Sequence, residues 1–143
     1  MLIAHVLRDK GGVVFTLRAN ATLEQAASEL HTKKVGALVV LEDGDAIAGV
    51  LSERDIVREI ARKGASCMEN HVATIMSRDV VTALLSETVD EGLARMTDRR
   101  IRHLPVIEDG KLVGIVSIGD LVKHRIAAVE AEAAAMQAYI AAH

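Results

Sequence analysis

The stretch Gly49-Val50-Leu51-Ser52-Glu53-Arg54-Asp55 returns later in the chain as Gly114-Ile115-Val116-Ser117-Ile118-Gly119-Asp120. In both copies a glycine and two aliphatic residues precede Ser-x-x-Asp, and serine is a preferred residue at the start of a helix. The pattern therefore predicts, twice, a short apolar strand that runs directly into a helix. An ordered stretch that recurs in this way indicates an internal repeat.

The likeness extends upstream of both copies. A one-residue gap at Asp45 brings the two halves of the chain into register, and identical residues then fall at eight further positions. The aligned pairs are Val14 with Val80, Thr16 with Thr82, Thr22 with Thr88, Leu38 with Leu104, Val40 with Val106, and Glu42 to Gly44 with Glu108 to Gly110. Many of the remaining aligned pairs exchange one aliphatic residue for another. We therefore expect two structurally similar units in one chain.

Each unit has the same predicted order of elements. A β-rich stretch, Val13 to Thr16 or Val80 to Thr82, precedes a helix that opens with a capping box, Thr22 with Gln25 or Thr88 with Glu91. Two apolar runs follow, joined by a turn that contains Asp-Gly, which is a strong hairpin signal because glycine accepts a positive φ. A second helix begins at the repeated serine, and the unit reads β-α-β-β-α.

This order defines an α+β fold: two β-α-β-β-α repeats packed as a pseudo-two-fold pair, with a C-terminal helix. We expect the first repeat at 1–64, a linker at 65–71, the second repeat at 72–125 and the C-terminal helix at 126–143. A unit of this size buries too little surface to be very stable on its own, which favours pairing of the two repeats.

Composition narrows the class of protein. Half of the 143 residues are hydrophobic, but only Phe15 and Tyr139 are aromatic, so a bound base would be held by aliphatic walls and backbone. The net charge of −3 predicts no nucleic-acid partner. The single cysteine, Cys67, fits a reducing compartment. No signal peptide or membrane span is expected, so the predicted location is the cytoplasm.

Three motifs in register within the repeat carry a resemblance to a known family. They are the doubled Gly-h-h-Ser-x-x-Asp (h, aliphatic), the segment Ile101-Arg102-His103-Leu104-Pro105-Val106, and the segment Ile75 to Thr82 that enters the second repeat. With them the sequence resembles the cystathionine-β-synthase (CBS) domain family, in the form of small stand-alone bacterial proteins made of one tandem pair. The resemblance implies binding of adenosine-containing ligands: AMP, ADP, ATP, and in some members NAD(H) or S-adenosylmethionine.

The resemblance assigns Asp55 and Asp120 to the ribose hydroxyls, with Ser52 and Ser117 beside them. A carboxylate suits this role because charge-assisted hydrogen bonds are strong. Ordinary helix capping is the alternative for each Ser-x-x-Asp, and the two roles can coexist.

The family positions that reach phosphate are matched by Arg102, His103 and Arg54. An arginine fork can grip two phosphate oxygens, although a solvated basic turn is the alternative for Arg102 and His103. In the first repeat Gly36 and Ala37 stand at the positions of Arg102 and His103, and Val39 stands at that of Pro105. We therefore expect two sites of unequal affinity.

The remaining site positions implied by the resemblance line the adenine and ribose. They are Thr16 and Thr82, with Val14 and Val80 as apolar walls. The alternative for these four is an ordinary strand residue, since β-branched side chains favour strands.

No pattern of a metal site, P-loop or nucleophile elbow accompanies these motifs, so we expect no catalytic residue, no metal and no catalytic cofactor. The predicted function is a regulatory adenine-nucleotide sensor (AMP, ADP, ATP or NADH) that signals occupancy to an unknown effector protein. An enzyme such as a phosphohydrolase, or a constitutive scaffold with vestigial pockets, is the alternative.

The end of the chain carries a separate pattern. Apolar residues alternate three and four positions apart, as in a heptad seam: Val122, Ile126, Val129, Ala133, Met136 and Ile140. The seam either folds back on its own unit or contacts another subunit. We favour a homodimer formed through the repeats and this helix.

Overall fold

The computed structural model describes the whole chain, Met1 to His143. It contains five α-helices and two three-stranded sheets, which confirms the predicted mixed fold with a C-terminal helix. The chain divides into two compact units, one made of residues 14–80 and the other of residues 1–13 and 81–143.

The first unit, 14–80, is built on the sheet β1-β2-β3. Its strands are β1 (Thr16–Arg18), β2 (Ala37–Leu41) and β3 (Ile47–Ser52), with β1 parallel and β3 antiparallel to β2. Two helices complete it, α2 (Leu23–Lys33) and α3 (Glu53–Lys63). Its core is aliphatic, with Leu23, Leu38, Val40 and Leu51 fully buried.

The second unit repeats this arrangement in the sheet β4-β5-β6. Its strands are β4 (Ala83–Leu84), β5 (His103–Glu108) and β6 (Lys111–Ser117), again parallel and then antiparallel. Its helices are α4 (Val89–Arg99) and α5 (Ile118–Ala142), and an N-terminal helix, α1 (Ile3–Lys10), belongs to the same unit. The predicted β-α-β-β-α order is thus present in both units.

Both predicted hairpins form, and their glycines explain why. Gly44 and Gly110 have φ values of 79° and 75°, a region that glycine enters at no steric cost. The two turns differ in detail: Asp109 and Gly110 are both left-handed, as in a type I′ turn, whereas the first turn is longer. Arg18 holds the longer turn through an ion pair with Asp45 at 2.6 Å.

The N-terminal segment differs from the sequence-based division. The prediction placed residues 1–64 in the first repeat, but α1 packs with the second: Ile3, Val6 and Leu7 lie in the core of that unit. The amide of Val89, at the start of α4, donates to the Met1 carbonyl at 2.9 Å. This burial of apolar side chains, together with the backbone bond, attaches the first residues to the later part of the chain.

The segment predicted as a linker, 65–71, is part of the first unit's packing. Residues Ala65–Glu69 form a 3₁₀ helix in which Cys67 is buried, and Val72 and Met76 also enter the core. The amide of Leu23, at the start of α2, donates to the Asn70 carbonyl at 2.9 Å. This bond matches the one between Val89 and Met1, but the segments differ, because Ile3–Lys10 is α-helical whereas residues 70–79 contain only the 3₁₀ helix Val72–Thr74.

The predicted β-rich stretches lie a few residues too early. The strands begin at Thr16 and Ala83, whereas the sequence favoured Val13 to Thr16 and Val80 to Thr82. The bounds are set by pairing: Thr16 lies opposite Val39, and Ala83 lies opposite Val106. β-propensity alone does not contain this register.

The C-terminal helix is longer than expected, because α5 runs without a break from Ile118 to Ala142. Only its first turns contribute to the core, through Leu121. The heptad positions from Val122 to Ile140 are exposed. The seam therefore does not fold back on its own unit. None of the five helices combines the length and apolar character that crossing a membrane requires.

Candidate functional site

The repeated Ser-x-x-Asp forms the same cap at the start of α3 and of α5. The Ser52 hydroxyl accepts the Asp55 amide at 3.3 Å, and the Asp55 carboxylate accepts the Ser52 amide at 2.9 Å. At Ser117 and Asp120 the two distances are 3.1 and 2.8 Å. The capping role of these four residues is therefore observed. A carboxylate has further lone pairs, so capping leaves acceptor capacity for a ligand.

In the second unit, the sheet brings four predicted residues to one end. His103, the first residue of β5, lies opposite Ser117, the last residue of β6. The Ile118 amide donates to the Arg102 carbonyl at 2.8 Å, which holds Arg102 beside the start of α5, where Asp120 lies. The Arg102 side chain is exposed and the others are half-buried. This end of the unit thus combines a cation, an imidazole and a carboxylate at a helix start.

The first unit repeats the backbone geometry without the charges. Ala37 lies opposite Ser52, and the Glu53 amide donates to the Gly36 carbonyl at 3.0 Å. The predicted cation of this unit is Arg54, exposed on the first turn of α3. The two candidate sites therefore differ in charge, with the predicted cations placed on different elements, and their unequal affinity stays a prediction.

The predicted base-lining residues lie in less regular positions. Val14 precedes β1 by two residues, near the sheet end where Ala37 and Ser52 pair, and Thr16 is an exposed residue of β1. Val80 and Thr82 precede β4 and are half-buried. Pro105 lies inside β5 opposite Ile115 and is buried, so it supports the strand from within.

The backbone at Thr82 is held by a partly buried ion pair between Arg95 and Glu87. Arg95 donates to the Thr82 carbonyl at 2.9 Å and pairs with Glu87, whose carboxylate also accepts the Leu84 amide at 2.8 Å. The hydrogen bond from Arg95 lowers the pKa of Glu87 and raises that of Arg95. This pair fixes the entry into β4. Sequence reasoning missed it, because an ion pair between residues on different elements leaves no local pattern.

The two candidate ribose carboxylates have different cationic neighbours. Asp55 pairs with Arg58 of the same helix at 3.3 Å, whereas Asp120 pairs with Lys10 of α1 at 2.6 Å. Burial alone would raise the pKa of Asp120, but hydrogen bonds from Lys10 and the Ser117 amide bring it below its usual range. Lys10 also escaped the sequence analysis, since it is far from Asp120 in the chain.

The structure has two further features. A cavity of about 680 Å³ in the first unit is bordered by the end of α2, by Lys34 to Gly36 and by Glu53, and Asp55 does not line it. The cavity includes Gly36 and Glu53 but neither candidate carboxylate, whereas the Ser-x-x-Asp cap recurs in both units. No three His, Cys, Asp or Glu side chains converge as a metal site.

Comparison with known proteins agrees with this architecture. The family model of the CBS domain matches residues 12–62 and 72–127, so the chain belongs to the CBS domain family as a tandem pair. A mitochondrial CBS domain-containing protein of Arabidopsis thaliana, CBSX3, is 35% identical over 146 residues, which cover 96% of this chain and 71% of that protein.

Solved structures share the fold. A CBS-domain protein from Agrobacterium tumefaciens has a TM-score of 0.85 at 38% identity, covering 87% of this chain and 92% of the other. A CBS-domain protein from Pyrobaculum aerophilum, solved as a complex with AMP, has a TM-score of 0.72 at 28% identity, covering 84% and 89%. The CBS domain pair of the protein MJ0100, solved with 5′-methylthioadenosine and S-adenosylmethionine, has a TM-score of 0.76 at 25% identity, covering 86% and 94%.

Proposed function

We propose that this tandem CBS protein is a regulatory module that binds an adenine nucleotide (AMP, ADP, ATP or NADH) without converting it and signals occupancy to an effector protein. The observation that carries the proposal is the doubled Ser-x-x-Asp cap, which holds a carboxylate at the first turn of a helix in each unit. A carboxylate so placed can accept both hydroxyls of a ribose. The complexes of two similar proteins with AMP and with 5′-methylthioadenosine and S-adenosylmethionine support an adenosine ligand.

The two sites have unequal roles in this proposal. The second unit offers Arg102 and His103 to phosphate, whereas the first offers Arg54 on a helix turn. The positive end of the helix dipole adds attraction for phosphate at both. The sites should therefore differ in their preference for the number of phosphates on the ligand.

Signalling would use a homodimer. The exposed apolar positions of α5 repeat in a heptad pattern, and a second copy of the same helix presents a matching seam. Occupancy of the nucleotide sites would then reach the effector through a change in shape or assembly. The cytoplasm is the proposed location, since a single buried free cysteine suits a reducing compartment.

The first experiment asks what the protein retains and whether it is changed. The native protein is purified without added nucleotide and its bound small molecules are identified by mass spectrometry. It is then incubated with AMP, ATP and NADH, each followed by chromatography. We expect a retained adenosine compound and unchanged ligands. Conversion that scales with protein concentration would favour the enzyme alternative, and the absence of binding to any of the three would favour a scaffold.

A further inference from the structure

The C-terminal end of α1 reaches the carboxylate assigned to the ribose in the second unit. Lys10, the last residue of α1, donates from Nζ to Asp120 Oδ2 at 2.6 Å and to the Ile115 carbonyl at 2.9 Å. The ammonium therefore bridges the last strand and the helix start that follows it. The same Asp120 oxygen also accepts the Ser117 amide at 2.8 Å. Two donors already converge on one oxygen of this carboxylate.

The rest of α1 is fixed, so only the Lys10 side chain needs to move. Ile3 and Val6 are fully buried, and Leu7 packs against Gly114, where an added Cβ would lie 2.7 Å from its methyl groups. Asp9 adds a contact to His124 of α5 at 3.1 Å. In contrast, the Lys10 side chain is 34% exposed and can swing into solvent on its flexible stem.

In the first unit, the ion pair of the candidate carboxylate does not come from another helix. Asp55 pairs with Arg58 three residues along the same helix, and the Arg58 side chain is 65% exposed. The segment before the second repeat, residues 70–80, contains only the short 3₁₀ helix Val72–Thr74 and no α-helix comparable to α1. The contact is therefore a property of the second site alone.

From this geometry we infer that Lys10 competes with the ribose for Asp120, so that a ligand must displace the Lys10 ammonium from this carboxylate. The inference rests on the proposed function and adds regulation to it. Ligand binding at the second unit exchanges the Lys10–Asp120 pair for ribose hydroxyls and releases the Lys10 side chain. Ligand occupancy thereby changes the position of the Lys10 side chain while the helix α1 stays in place.

The test measures adenosine, which has no phosphate, so that the charge of Lys10 acts only through Asp120. Calorimetric titrations are made in the Asp55→Asn background, which isolates the second site, with Lys10→Met added. Methionine keeps most of the stem and removes the ammonium. We expect Lys10→Met to tighten adenosine binding about three- to fivefold, the factor that a partly exposed ion pair is worth. Arg8→Met is the matched control, because Arg8 lies on the same helix, pairs with Asp9 and is largely exposed.

The outcomes separate this inference from the function on which it rests. Tighter adenosine binding with Lys10→Met and unchanged binding with Arg8→Met supports the competition. If the wild-type protein binds adenine nucleotides and Lys10→Met gains nothing for adenosine, the competition is wrong and the function stands. Weaker AMP binding with unchanged adenosine binding would make Lys10 a phosphate contact and overturn the competition. If neither wild type nor Lys10→Met binds any adenine compound, the proposed function fails, and the competition fails with it.

Discussion

The glycine that opens the repeated motif has a steric role that Gly49→Ala tests. A Cβ at Gly49 would lie 2.6 Å from the Ser77 carbonyl oxygen and 2.8 Å from Cγ and Sδ of Met76. Ser77 forms a two-bond bridge with Val50, at 3.0 and 2.9 Å. Relieving the clash therefore requires the backbone of the entering segment to move and the bridge to stretch.

The expected cost follows from these contacts. Overpacking a dense site costs about 1–3 kcal/mol, and each weakened hydrogen bond adds about 0.5–1.5 kcal/mol. We expect Gly49→Ala to lower the free energy of unfolding by about 2–4 kcal/mol. At Gly114 the obstacle is the end of the Leu7 side chain rather than backbone, so Gly114→Ala should cost less, about 1–2 kcal/mol.

The assay is urea denaturation followed by circular dichroism, with Gly119→Ala as a control. Gly119 lies in the first turn of α5, and its nearest neighbour would be the Ser117 hydroxyl at 3.6 Å, an ordinary contact. Alanine has a higher helix propensity than glycine, so Gly119→Ala should raise the free energy of unfolding by up to about 1 kcal/mol. Equal stability of Gly49→Ala and wild type, or a larger loss at Gly114 than at Gly49, would refute the steric argument.

Three further predictions concern acid stability, assembly and phosphate. The lowered pKa of Glu87 means that its ion pair with Arg95 contributes stability above about pH 4.5, which is lost as the pH falls through the folded-state value. Glu87→Gln should therefore lower the free energy of unfolding by about 1–2 kcal/mol at pH 7, and that free energy should fall less steeply toward pH 3 than in wild type, as measured by urea titrations. A decline parallel to that of wild type would contradict this. If α5 holds a dimer, the double variant Val129→Asp, Met136→Asp should sediment as a monomer, because burying charge in an apolar contact is costly. A wild-type protein that already sediments as a monomer would disprove dimerisation through the heptad positions of α5. Arg102→Ala should weaken ATP binding more than adenosine binding, with a gap that shrinks as salt rises; an equal loss would assign Arg102 to the fold.

Local signals allowed much of this fold to be predicted from sequence. Hairpins depend on Asp-Gly turns, and helix starts depend on Ser or Thr with a partner three residues later, so residues close in the chain contain the information. At Thr22 the full capping box forms, as predicted. At Thr88 the hydroxyl accepts the Glu91 amide, whereas the first amide of that helix, on Val89, finds the Met1 carbonyl.

The features that were missed depend on residues far apart in the chain. The sequence of α1 has no property that directs it to the second unit, because Ile3 and Leu7 would suit any apolar core. The same holds for Cys67, which belongs to a core although the sequence placed it in a linker. Lys10 contacts Asp120 because α1 packs against the second unit, and no local pattern contains that packing. The motif residues of the candidate site could therefore be predicted from the sequence, but the Lys10 ion pair with Asp120 could not.

The most direct measurement of the central claim is a calorimetric titration of AMP into wild type and into the Asp55→Asn, Asp120→Asn double variant. Asparagine keeps an oxygen for the cap but lacks the charge that strengthens bonds to ribose hydroxyls. Gln25→Ala is the control, since it removes the capping-box partner of Thr22 and leaves both carboxylates intact. The account predicts micromolar-order binding to wild type and to the control, and a loss of about 1.5–3 kcal/mol at each site in the double variant. Unchanged affinity and stoichiometry in a folded double variant would contradict it and place the ligand elsewhere.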